Sequence, residues 1–122
     1  MAAALAARGW APDLVISSDS ERTRQTWALM RATFPDAEAH FTNALYLAGP
    51  REIYDEVQQR AAAGQTVLVL GHNPGWEVAL EVMSGVAETM TTANCALLQR
   101  EASWDEPYLG DFELIALLRP PK

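Results

Sequence analysis

One cysteine, two histidines and only nine basic residues are what this sequence has little of, and each scarcity removes a class of protein. Cys95, standing alone, cannot form an internal disulfide, so a disulfide scaffold is excluded and a reducing, cytoplasmic setting is expected. It reads as a buried filler rather than a nucleophile. His40, His72 and that cysteine fall short of the ligand set a metal centre asks for, so neither a metal nor another cofactor is expected. Nine basic against sixteen acidic residues give a net charge of −7, a field that opposes nucleic acid and anionic membrane. No apolar run approaches the roughly 20 residues that cross a bilayer. Met1 to Gly9 carries its one basic residue late, at Arg8, unlike a secretory leader. The glycines fit neither a Walker loop nor a dinucleotide fingerprint.

What is present is an ordinary globular composition, 49% hydrophobic and 20% charged over 122 residues, which predicts one domain spanning residues 1–122. Met1 to Arg8 reads as the back half of a helix stopped by Gly9. Asp13 to Ile16 suits a buried strand. Ser18-Asp19-Ser20-Glu21 matches a capping box, so Ser18 is expected to open a helix with Trp27, Met30 and Phe34 on its core face and Pro35 at its end. Arg24 is expected at the surface, paired with Glu21. Ala37 to Phe41 reads as an edge strand, Asn43 to Pro50 as a loop, and Pro50 as the first residue of a helix that buries Ile53, Val57 and Ala61 before Gly64 caps it. Thr66 to Leu70, apolar on both faces, has the pattern of a central parallel strand. Asn73 is then an N-cap and Pro74 a first helical residue, with Trp76, Ala79, Leu80 and Met83 as the buried stripe up to Gly85. Cys95 to Gln99 and Phe112 to Leu118 read as two further strands before the exit at Arg119-Pro120-Pro121. Trp27 and Trp76 read as core anchors, and Trp104, in a polar loop, as either rim or interface. Strands alternating with helices predict an α/β fold.

Two junctions repeat one design, an apolar strand, a tight polar turn and a capped helix: Ser17 to Arg22, and Gly71 to Asn73. In open α/β sheets such turns lie at the carboxyl ends of parallel strands, where ligands bind and helix N-termini offer free N–H groups to anions. The residue types suit phosphate. Arg22 can grip a phosphoryl group with two parallel hydrogen bonds, and a protonated His72 can donate a charge-assisted one.

Ser17-Ser18-x-x-x-Arg22-x-x-Gln25-Thr26, followed by Val67-Leu68-Val69-Leu70-Gly71-His72-Asn73-Pro74-Gly75, resembles the histidine phosphatases, and most of all their short phosphohistidine-phosphatase (SixA-type) branch. Leu45-Tyr46-Leu47-Ala48 and Leu117-Leu118-Arg119-Pro120 are similar to that branch as well. The resemblance implies a three-layer α/β/α sandwich with a mostly parallel, phosphoglycerate-mutase-like sheet. It implies a catalytic role for Arg22 as phosphate clamp and for His72 as stabiliser of the transferring group, with Ser17, Ser18 and Asn73 as further phosphate-site residues. The substrate implied is a phosphohistidine protein or a small phosphate ester.

One departure stands out. The family's nucleophilic histidine and a first arginine come from an Arg-His-Gly motif on the first strand, and this sequence holds no Arg-His pair. The chain therefore reads as N-terminally truncated, with the first strand missing, and as inactive by itself. His40 is not placed to substitute. A general acid is also unassigned, since Asn43 to Tyr46 carries no carboxylate. Because the family's first strand lies in mid-sheet, its loss predicts low stability or self-association through the gap. Two other readings stay open: a non-catalytic phosphate-binding or protein-interaction module, and an unrelated α/β nucleotide-binding domain, for which no base pocket is recognisable.

Overall fold

The computed structural model describes residues 2–46, 48–72, 75–90 and 95–118. Helix α1 (Ala2–Ala7) ends at Gly9, whose φ of +76° is the left-handed geometry a non-glycine residue avoids. The chain then enters β1 (Leu14–Ser18), buried along its whole length. Its side chains alternate: Val15 joins one core with Leu5, Trp27, Met30 and Phe34, while Leu14 and Ile16 join another with Leu45, Ile53, Val57 and Ala79. Each fully buried Val or Ile stabilises by roughly 1.5–3 kcal/mol. β1 is thus the member that holds both cores to one sheet.

Helix α2 (Glu21–Met30) follows, with Trp27 and Met30 buried as the stripe requires. Ser18 does not open it. The N-cap is Ser20, whose hydroxyl accepts from the Thr23 amide, because Ser18 is still in register with Thr42 of the next strand and its own hydroxyl is engaged elsewhere. The helix also ends at Met30, before Phe34 and Pro35, which continue as turn. Arg24 pairs not with Glu21 but with Asp19, its Nε donating over 2.7 Å, and its guanidinium lies 4.2 Å from the Phe41 ring centre. Glu21 accepts instead from Gln25, one helical turn on.

Strand β2 (Glu38–Thr42) lies at the sheet edge as expected, and a 3₁₀ turn (Asn43–Leu45) leads towards α3 (Pro50–Arg60), where Pro50 takes the first position. That helix buries Ile53 and Val57 and, in addition, Tyr54. Its C-cap is Ala61; Gly64, at φ +80°, shapes the turn into β3 (Val67–Leu70). Helix α4 (Gly75–Ser84) buries Ala79 and Leu80, and Gly85 follows it at φ +75°. Strands β4 (Cys95–Gln99) and β5 (Glu113–Leu118) form an antiparallel hairpin with a register shift at Leu97/Leu98. Trp104 is half-buried: its indole donates to the Gln65 carbonyl over 3.0 Å and its ring packs on the α3/α4 core.

The architecture is α/β, with a three-strand parallel sheet in the order β2-β1-β3 between helices on both faces. One expectation about it is overturned. β3 is not central: among the described residues it pairs only with β1 and is half-buried, so β1 takes the middle. β4 and β5 make a second, two-stranded sheet. Leu97 and the partly buried Cys95 and Leu118 nevertheless share the α1/α2 core with Leu68 and Leu70 of β3. The hairpin therefore packs on the same apolar side as β3 without a ladder joining them.

Candidate functional site

Parallel pairing of β1 with β3 sets Ser17 opposite Leu70, so both strands end at one edge of the sheet. The turns beyond them carry the residues singled out in the sequence. His72 lies two residues past Leu70 and its Nε2 shares a hydrogen bond of 2.9 Å with the hydroxyl of Ser18. Ser18 is wholly buried and falls on the same side of β1 as Leu14 and Ile16. Its carbonyl accepts from the Thr23 hydroxyl over 2.6 Å, which ties the strand end to the first turn of α2. The His72 carbonyl in turn accepts from the Trp76 amide over 3.3 Å, so the hydrogen bonding of α4 begins at His72 itself. The imidazole is thus held from β1, and the backbone that bears it from the first turn of α4.

Arg22 stands exposed in the first turn of α2, four residues past Ser18, and its guanidinium has no hydrogen bond or ion pair among the described residues. Arg24 by contrast is committed to Asp19, which also offsets the one carboxylate between Ser18 and Ser20. Among the described residues of this turn, the cation without a partner is therefore Arg22. Ser17 turns the other way: it is wholly buried and donates to the Ser18 carbonyl over 2.9 Å. Asn73, and Pro74 with it, lie outside the described residues. His40 sits opposite Ile16 on the edge strand β2, bonded to Glu38 over 3.0 Å.

Two glycines explain how the second turn packs so closely. A Cβ at Gly71 would lie 2.0 Å from the Trp76 ring, whose indole donates to the Val69 carbonyl over 3.3 Å. A Cβ at Gly75 would lie 2.0 Å from the Ala48 carbonyl oxygen. That second contact draws the loop before α3 against the His72 turn.

The same loop supplies a residue that sequence reasoning did not assign to the site. The Tyr46 ring meets His72 edge to face, with ring centres 5.6 Å apart and planes at 75°. Its sequence signal was the Leu45-Tyr46-Leu47-Ala48 segment, similar to the SixA-type branch but lying in an expected loop with no role attached to its aromatic. Thr23 was also missed, although a threonine three residues past a serine cap marks a side chain able to bond back to the strand end. Cys95, half-buried on β4, has its thiol pushed up by burial, opposite to the activation a nucleophile needs.

Parallel strands ending side by side in an α/β domain thus present a hydrogen-bonded imidazole at one sheet edge, with an exposed guanidinium in the first turn of the helix that follows β1. No family model matches the chain. Among solved structures it is similar to a protein described as a candidate phosphohistidine phosphatase SixA from Agrobacterium tumefaciens, at a TM-score of 0.77 and 27% identity over 98% of this chain and 75% of that one. It is similar also to such a SixA protein from Nakamurella multipartitia, at a TM-score of 0.72 and 30% identity over 97% of this chain and 80% of that one. The chain belongs to the SixA-type histidine phosphatases. An uncharacterized chloroplastic protein of Arabidopsis thaliana is 34% identical over 95% of this chain, which spans 60% of that relative's length. An uncharacterized protein of Mycobacterium tuberculosis is 29% identical, with 93% of this chain and 81% of that protein covered.

Proposed function

We propose that this chain carries the phosphate site of a phosphatase for phosphohistidine or a small phosphate ester, with Arg22 clamping the phosphoryl oxygens and His72 stabilising charge on them as the group transfers. The observation that carries the reading is the Ser18–His72 hydrogen bond, which joins the ends of β1 and β3 where α2 begins, the helix whose first turn carries an arginine with no side-chain partner among the described residues. An imidazole held by Ser18 before the ligand arrives needs no reorganisation in the transition state, whereas Arg22 takes up its bonds as the ligand binds. In the reaction proposed, a neutral imidazole nitrogen attacks phosphorus, the leaving group departs with the bonding electrons and takes up a proton, and water then cleaves the phosphorus–nitrogen bond. His72 is held as a clamp and His40 is committed to Glu38 on β2, so the attacking imidazole is a third one that this sequence does not contain. The chain by itself therefore binds phosphate without turning it over.

Calorimetric titration with inorganic phosphate or vanadate tests the site. Binding that Arg22→Ala weakens by about 10- to 100-fold, the loss of hydrogen bonds from a charged donor, supports it; a chain that binds neither anion overturns it. The alternative, a phosphate-binding module that never catalyses, draws on the same absent nucleophile. Hydrolysis of phosphohistidine or an activated aryl phosphate by this chain would refute both that alternative and the assignment of the attacking group.

A further inference from the structure

We propose that Tyr46 is a specificity-determining residue of this site, its ring forming the wall along which a flat leaving group lies while Arg22 and His72 hold the phosphoryl group. The inference rests on the phosphate site proposed above and adds to it the shape of what the phosphate is attached to.

A single exposed aromatic is ordinary on a protein surface and needs no explanation by itself. Tyr46 differs in where it stands and how it is held. Its side chain is 61% exposed, yet its neighbours Leu45 and Ala48 are buried, and its amide donates to the Asn43 carbonyl over 3.1 Å. The ring is therefore presented to solvent from an anchored backbone. It touches the imidazole expected to bind the phosphate, with ring centres 5.6 Å apart. Its hydroxyl has no hydrogen bond among the described residues, so a polar tether does not account for its position.

A phosphoryl oxygen bonded to His72 puts the bridging atom, and the group beyond it, within reach of that ring. An alkyl group gains little there. An imidazole or phenyl ring can stack or meet Tyr46 edge to face, an interaction worth about a three- to tenfold gain in affinity. The class selected is a phosphoryl group borne on a planar ring.

The test measures the affinities of inorganic phosphate, ethyl phosphate and phenyl phosphate for the unaltered chain, Tyr46→Phe and Tyr46→Ala. The expected result is a three- to tenfold preference for phenyl over ethyl phosphate in the unaltered chain and in Tyr46→Phe, falling to within twofold in Tyr46→Ala, with inorganic phosphate bound alike by all three. A preference that survives Tyr46→Ala, or that is absent from the unaltered chain, overturns the inference while leaving the phosphate site intact. So does a parallel loss of inorganic phosphate binding in Tyr46→Ala, which would make the ring a mere prop for His72. Should the unaltered chain bind no inorganic phosphate, the site fails and this inference with it. If Tyr46→Ala does not fold, Tyr46→Leu takes its place: the phenyl preference is expected to fall to within twofold there too, and a preference that survives it overturns the inference.

Discussion

Replacing Ser18 with alanine removes one oxygen atom from a wholly buried position and with it the only bond that joins the His72 ring to β1 among the described residues. The carbonyl of residue 18 keeps its bond from Thr23, so the strand-to-helix link survives and the melting temperature should change by no more than a few degrees. The ring loses its restraint. A hydrogen bond of this kind contributes about 0.5–1.5 kcal/mol net. If that energy holds the imidazole in its binding orientation, phosphate affinity falls by about two- to twelvefold at 1.4 kcal/mol per factor of ten. Two readouts are needed together: calorimetric affinity for phosphate, and the nitrogen-15 shift of the His72 Nε2, which reports the bond to Ser18 directly. A Ser18→Ala chain with unchanged affinity and an unmoved nitrogen signal would falsify the claim that the two strand ends build one site.

Gly75→Ala should cost about 1–3 kcal/mol, because its methyl carbon meets the backbone oxygen of Ala48 and neither partner can rotate away; chemical denaturation measures the loss. Ser20→Ala removes the cap of α2 and should cost about 1 kcal/mol, seen as a fall of about 3–6 °C in melting temperature, whereas the same change at Asp19 leaves the cap in place. The Cys95 thiol is raised above its ordinary value of 9.0 by burial, so the folded chain favours the neutral form. Its contribution to stability is full below pH 9.0 and declines as pH rises above that value, where the unfolded thiol ionises first. Cys95→Ala should flatten that alkaline decline, as urea midpoints across pH 8 to 10.5 would reveal.

Much of the α/β pattern was legible because local rules and packing agree. Trp27 and Met30 in α2 and Ile53 and Val57 in α3 fall on helical spacing and are buried, and Gly9 and Gly85 stop their helices at positive φ. The errors came where two residues compete for one role. Ser18 and Ser20 both suit an N-cap; the strand register with Thr42 and the bond to His72 claim Ser18, which leaves Ser20 to the helix. Arg24 had Glu21 at helical spacing, but Asp19 and the Phe41 ring, brought close by the turn and by β2, outbid a pair worth only a few tenths of a kcal/mol. β3 misled for another reason: Val67 to Leu70 has the composition of a strand covered on both sides, and the sequence pattern reports what a strand is suited to, not which neighbours it has. Of the site, His72 and Arg22 announced themselves through their place after apolar strands. Tyr46 did not, since its contact with His72 depends on the close approach of two loops more than 20 residues apart in sequence.

That approach is set by the bare Cα of Gly75 against the Ala48 oxygen. It acts as a spacer of zero thickness between the segment bearing Tyr46 and the one bearing His72, so the backbone approach that lets the two rings meet depends on it. Transplanting either segment into a related scaffold without the other would change that approach even if every exposed residue were copied.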